Sequence, residues 1–262
     1  MLKLLKYEWK ACARTCLPLY GVLILMSFVT QLLYSIPQNS TFGFMLPAIS
    51  SMLYMGVMMA AFVVTAVILI QRFYKNLLGS EGYLMFTLPV TVTQHLLSKT
   101  IIAVVMIALS SIAAFLSIGI FADMSFGTLF VDMIKGVARS GGLLFGLELL
   151  VLAVLGIAGM ALFVYMCIAL GHLASRHRLL MSIVWYVVLS TALQVLLLMV
   201  MMGAGNAVPQ PFVDWMKVWW SGITPMGAAH LMLRFCCVFA LISDAVYFLV
   251  TRWILVHKLN LE

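Results

Sequence analysis

Six long apolar runs, each uncharged or nearly so at its centre, limit what this chain can fold into more than any other feature. They fall at about residues 17–34, 45–70, 100–122, 142–170, 179–203 and 231–254. The hydrocarbon core of a bilayer is about 30 Å thick, and a helix needs about 20 apolar residues to cross it. No water is present there to satisfy backbone N–H and C=O groups, so each run must bond within itself as a helix. The chain is 65% hydrophobic and 9% charged, against about 45–50% and about 25% in a soluble domain. That leaves too little polar surface to cover a water-soluble globule. A soluble enzyme, a secreted disulfide scaffold and a disordered chain are excluded. The expectation is an all-α polytopic membrane protein, one transmembrane domain over residues 1–262 with six transmembrane helices.

The net charge of +7 does not point to nucleic acid, because the Lys and Arg residues stand singly at the ends of the apolar runs. They partition instead by side. Lys3, Lys6, Lys10, Arg14, Arg72, Lys75, Lys99, Arg176, Arg178, Arg252 and Lys258 fall on one side; Lys135, Arg139, Lys217 and Arg234 fall on the other. The positive-inside rule puts the larger set, and with it both termini, in the cytoplasm. Cys12, Cys16, Cys167, Cys236 and Cys237 form no C-x-x-C pair and no His/Cys group at zinc spacing, so they read as small buried hydrophobes and no metal is expected. There is no H-E-x-x-H and no nucleophile–base pair at informative spacing, so the chain is not expected to be an enzyme.

Residues 1–16 are amphipathic. Leu2, Leu5, Trp9 and Cys16 follow helical spacing, and Lys3, Lys6, Lys10 and Arg14 make a second stripe. This predicts an interfacial helix lying among the headgroups. A signal peptide fits less well, because the apolar run is long, no small-x-small cleavage site follows it and further spans come next.

Residues 71–99 are the most polar stretch inside the chain. Arg72 and Lys75 suit a helix C-terminus. Gly79 and Gly82 break it, Tyr83–Leu88 forms an apolar ledge on the cytoplasmic side, and Pro89 stops any helix arriving from before. Thr91-x-x-Gln94 reads as a capping box that opens the next helix. On composition, the ledge with Tyr83 and Phe86 lies against headgroups or docks into a protein partner.

The loop at 204–230 carries Phe212, Trp215, Met216 and Trp219 at amphipathic spacing, with Trp220 beside them. Such tryptophans anchor at a membrane interface. Pro225 and Gly227 allow a re-entrant turn, so Trp215, Trp219 and Pro225 are candidates for an outer gate. Two acids fall inside spans. By rise per residue Glu148 lies roughly 9 Å below the outer end of its span and Asp244 roughly 20 Å. Arg234, roughly 5 Å deep, is the expected partner for Glu148, as a structural ion pair or as part of a substrate or proton site. Asp244 has no cation in reach on its own helix, and must face protein interior or water, or carry a proton. Gln31 and Gln194 are mid-span amides that can hydrogen-bond between helices or line a polar path. Gly142-x-x-x-Gly146 and Gly156-x-x-Gly159 allow close helix packing.

The string LLGSEGYLMFTLPVTVTQHLLSK resembles the signature of type-2 ABC exporter permeases, in which a Glu-Gly pair is followed after six or seven residues by Pro-Val and a helix entering the third span. Here Glu81-Gly82 precedes Pro89-Val90 with six residues between. The six spans, the basic amphipathic start and the Lys-Leu-Asn-Leu ending are also similar. The resemblance implies that Gly79, Glu81, Gly82, Tyr83, Phe86, Pro89, Thr91 and Gln94 belong to a coupling element pressed onto a separate ATP-binding cassette ATPase subunit. It further implies a second permease subunit, identical or paralogous, and export through the plasma (inner) membrane of a bacterium. The Met-rich apolar interior fits a hydrophobic or amphipathic substrate. This chain has no Walker A loop, so ATP and magnesium belong to the partner and no cofactor is expected here. The alternative is a proton-coupled secondary transporter in which Asp244 and Glu148 titrate.

Overall fold

A computed structural model describes residues 2–36, 41–75, 91–122, 131–132, 135–136, 142–174, 177–207, 211, 222 and 224–257. The described residues form six long helices and contain no strand: α1 (Leu2–Tyr34), α2 (Thr41–Phe73), α3 (Val92–Phe121), α4 (Leu143–Gly171), α5 (Arg178–Ala207) and α6 (Pro225–His257). All six are long and apolar enough to cross a membrane. The chain divides into two compact units, Met1–Gly136 and Val137–Glu262.

In the first unit α1 packs on both α2 and α3. The side-chain contacts give the directions. Thr30 reaches Ser50 and Tyr20 reaches Thr65, so α1 and α2 run antiparallel. Glu8 meets Lys99, and Tyr34 meets Phe121, so α1 and α3 run parallel. The buried Ser and Thr side chains satisfy themselves within lipid-facing helices by bonding back to the preceding turn: Thr30 to the Met26 carbonyl at 2.7 Å, Thr65 to Ala61 at 2.7 Å and Ser117 to Ala114 at 2.8 Å. Their spare capacity then joins helices. The Tyr20 hydroxyl donates to Thr65 Oγ1 at 3.0 Å, with the Met106 carbonyl at 3.2 Å as its other acceptor, and Tyr54 bonds Ser117 at 2.9 Å. Leu23, Phe73, Leu96 and Met106 fill the core between them.

In the second unit α4 is the helix on which both α5 and α6 pack. Glu148 pairs with Arg234, and Phe163 meets Tyr247, so α4 and α6 run parallel. Gly171 lies against Ser182, and Phe163 meets Tyr186, so α4 and α5 form an antiparallel hairpin. His177, at φ 56°, makes the turn into α5. Packing is closest at one end. The buried residues of α4 begin at Ala161 and those of α6 at Thr251.

The helices outrun the expected spans. The anticipated interfacial helix 1–16 and the span at 17–34 are one continuous helix of 33 residues that passes through Pro18. At about 1.5 Å per residue α1 is about 50 Å long, which exceeds the hydrocarbon thickness and leaves the stripe of Lys3, Lys6, Lys10 and Arg14 room at one end. On the face opposite that stripe Glu8 and Cys12 are buried in the bundle. The third span begins at Val92 rather than residue 100, which brings Lys99 into the helix. The sixth begins at Pro225 rather than 231.

Candidate functional site

Among the described residues, Glu8, Glu148 and Asp244 each place an acid in the apolar packing, and each is held by helices of a single unit. In the first unit, Glu8 on α1 sits one and a half turns from the helix start. The Lys99 ammonium on α3 donates to Glu8 Oε1 at 2.9 Å and to the Arg72 carbonyl at 3.4 Å, while the Arg72 guanidinium on α2 stands 3.7 Å from Glu8 Oε2. Lys99 is 4% exposed and Glu8 8%, whereas Arg72 is 29% exposed and opens to solvent. Two charges this deep are stable only as a pair with further hydrogen bonds, and the Arg72 carbonyl supplies one. The cluster joins all three helices at the end where α2 stops and α3 starts. At that same end Thr91 precedes α3, and its amide donates to Gln94 Oε1 at 3.3 Å, forming the Gln94 arm of the expected capping box. Gly79, Glu81, Gly82, Tyr83, Phe86 and Pro89 lie outside the described residues.

In the second unit, Glu148 is held by two basic side chains of α6. Arg234 Nε donates to Oε1 at 2.8 Å, and His230 Nδ1 lies 2.6 Å from Oε2. His230 also meets Phe145 edge-on, with ring centroids 5.6 Å apart, and Cys237 Sγ lies 3.9 Å from the Glu148 carbonyl. The expected Glu148–Arg234 pair is therefore present, with His230 as a member that charge counting passed over. The signal was available: His230 precedes Arg234 by four residues and so shares its helical face.

Asp244 is the third. It is half-buried and faces Gly159 of α4, where a side chain on the glycine would overlap its carboxylate. Among the described residues it has no hydrogen bond or ion pair. One turn further along, Tyr247 meets Phe163 edge-on at 5.4 Å, and Phe163 meets Tyr186 of α5 at 5.6 Å. The acid thus lies beside a run of aromatic rings, next to the end of the unit where the helices close on one another.

The remaining candidates separate. Gln31 is half-buried on α1 and Gln194 is exposed on α5. Trp215 and Trp219 lie outside the described residues. Pro225 is not in a re-entrant turn: it is the first residue of α6, where its missing N–H costs nothing, and Thr224 caps the helix by accepting from the Gly227 amide at 3.2 Å. Of the cysteines, Cys12, Cys16 and Cys167 are buried as expected, but Cys236 is exposed. Among the described residues no group of His, Cys, Asp and Glu could hold a metal.

No family model matches the chain, and neither the curated proteins nor the solved structures yield a match. The class defined by the fold is a multi-pass α-helical membrane protein, two units of three helices with charged clusters bound into otherwise apolar packing.

Proposed function

We propose that this chain is the membrane permease subunit of an ATP-driven exporter of the type-2 ABC class, moving a hydrophobic or amphipathic substrate out of the cytoplasm. ATP and magnesium sit on a separate ATPase subunit, and two permease subunits, identical or paralogous, form the pathway. The observation that carries the reading is the Glu8–Lys99–Arg72 cluster. It fastens α1, α2 and α3 together at the ends that flank residues 76–90, the segment that resembles the family's coupling element. A push delivered there by a closing ATPase acts on three joined helices rather than on one loop. The driving free energy enters through differential contact with the two states of the ATPase.

The test is the composition of the purified complex. The tagged chain, extracted in mild detergent, should carry a subunit with a Walker A motif, and ATP hydrolysis by that complex should respond to Phe86→Ala. A chain that purifies free of any nucleotide-binding subunit and transports alone in vesicles refutes the reading. The accompanying orientation is tested by labelling. In a background without native cysteines, single cysteines at Asn39 and Gln210 should react with an impermeant thiol reagent in intact cells, and one at Asn76 should not.

A second reading, proton-coupled transport, is favoured by the absence, among the described residues, of an ion-pair partner for Asp244. Glu148, its supposed companion, is instead engaged by His230 and Arg234. Efflux from vesicles holding ATP constant separates the two: a protonophore should leave the ATP-driven protein unaffected and stop the proton-coupled one.

A further inference from the structure

Among the described residues Asp244 has no counter-charge, and the described helices hold few candidates for one. On α6 the nearest cations are Arg234 and Arg252, ten residues before it and eight after. On α4 the only charged residue is Glu148, and on α5 the only one is Arg178, at its first position. In α1, α2 and α3 the Lys and Arg residues stand in the first half of α1, in the last turn of α2 and at Lys99 near the start of α3, with none mid-helix. A second copy of the chain would bring no mid-span cation either. Asp244 itself lies about 28 Å from the start of α6 and about 20 Å from its end, well inside the span. An acid at that depth is costly unless it is paired or hydrated, and such residues mark binding or ion pathways.

The surroundings of Asp244 are suited to one kind of partner. Gly159 leaves a gap in the side-chain layer of α4, and the carboxylate fills it. Tyr247, Phe163 and Tyr186 continue from there, three rings from three helices in edge contact. Aromatic faces attract cations, more so when water is excluded. A carboxylate beside aromatic faces is the chemistry that recognises an ammonium or phosphonium group. Towards the end of α6 Thr251, Ile254 and Leu255 are buried, whereas Leu241, three residues before Asp244 on the same side of the helix, is exposed. The Glu148–His230–Arg234 cluster bridges α4 and α6 near their starts.

We propose that Asp244, with Tyr247, Phe163 and Tyr186, is a binding site for the cationic group of an amphipathic or lipophilic organic cation. This deepens the exporter reading by naming its substrate class, and rests on it for the direction of movement. Binding itself needs only this chain, so the two can fail separately.

The experiment is equilibrium binding of radiolabelled tetraphenylphosphonium to the purified full chain in lipid nanodiscs. Tetraphenylborate, of matching shape and opposite charge, is the control. Saturable binding of the phosphonium and none of the borate are expected. Asp244→Asn should weaken binding at least about tenfold, Asp244→Glu should retain most of it, and Tyr247→Leu, which keeps the acid, should weaken it to an intermediate degree. An unchanged affinity in Asp244→Asn overturns the proposal. So does equal binding of tetraphenylborate, or the absence of saturable phosphonium binding by the wild type, which is the result for a site that takes only a proton. Nanodisc preparations of Asp244→Glu and Tyr247→Leu provide the answer if Asp244→Asn does not fold. Binding that succeeds while no ATPase subunit is found would sustain the site and remove the exporter reading.

Discussion

Removing the charge of Glu8 should be among the most damaging single changes in the first unit. Glu8→Gln keeps the volume and leaves the Lys99 ammonium, 4% exposed, without its carboxylate. The Arg72 carbonyl at 3.4 Å remains, but a neutral oxygen does not compensate a buried cation. Arg72 loses less, because at 29% exposure it can turn to water. Breaking a buried pair from one side costs about 3–5 kcal/mol, a large part of the about 5–15 kcal/mol that holds a typical domain together. For a chain of this size that lowers the melting temperature by about 10 °C. The double variant Glu8→Leu, Lys99→Met removes both charges and keeps apolar volume, so it should recover most of the loss, since hydrophobic replacement of a buried pair is often neutral. The assay is thermal unfolding in detergent, followed for the wild type, Glu8→Gln, the singles Glu8→Leu and Lys99→Met, and the double. A Glu8→Gln protein that melts within about 2 °C of wild type, less than a 1 kcal/mol loss would produce, is inconsistent with a buried pair. So is a double variant whose loss equals the sum of the singles.

The second ion cluster should behave differently. Arg234 is 68% exposed, so its charge is already solvated, and Arg234→Gln should lower the melting temperature by less than a third of the Glu8→Gln effect in the same assay. Two glycines should differ in the same way. A methyl group at Gly171 would overlap the backbone of Ser182, which cannot move without shifting α5, whereas at Gly159 it meets the end of the Asp244 side chain, which can rotate. Gly171→Ala should therefore cost more than Gly159→Ala, within the about 1–3 kcal/mol typical of overpacking, and equal melting temperatures would contradict the close α4–α5 contact.

The number of spans was legible because it depends only on local sequence. An apolar run of about 20 residues must become a helix in lipid, whatever surrounds it. The Gln94 arm of the cap before α3 and the pairing of Glu148 with Arg234 could be read for a related reason: the first is a contact over three residues, and the second follows from two charges at similar depth in spans that run the same way. The helix ends were less legible. Hydropathy marks where charge appears, and Lys99 therefore read as a residue of the loop. A helix ends instead where its backbone bonds end, and α3 begins seven residues before that lysine.

Local sequence is enough to establish that this chain is built of six apolar helices and that its acids inside them are few. Glu8 was missed in it: it is one acid among Lys3, Lys6, Lys10 and Arg14, which signals neither its burial nor its partner. Tertiary structure decided both. Parallel packing of α1 on α3 brings together residues 91 positions apart, and antiparallel packing of α2 adds Arg72. The same holds in the second unit, where the register of α4 against α6 gives Glu148 two basic partners and gives Asp244 none. Charge pairing in a low-dielectric bundle is settled by distances of a few ångströms across helices, and those distances exist only once the helices have chosen their neighbours.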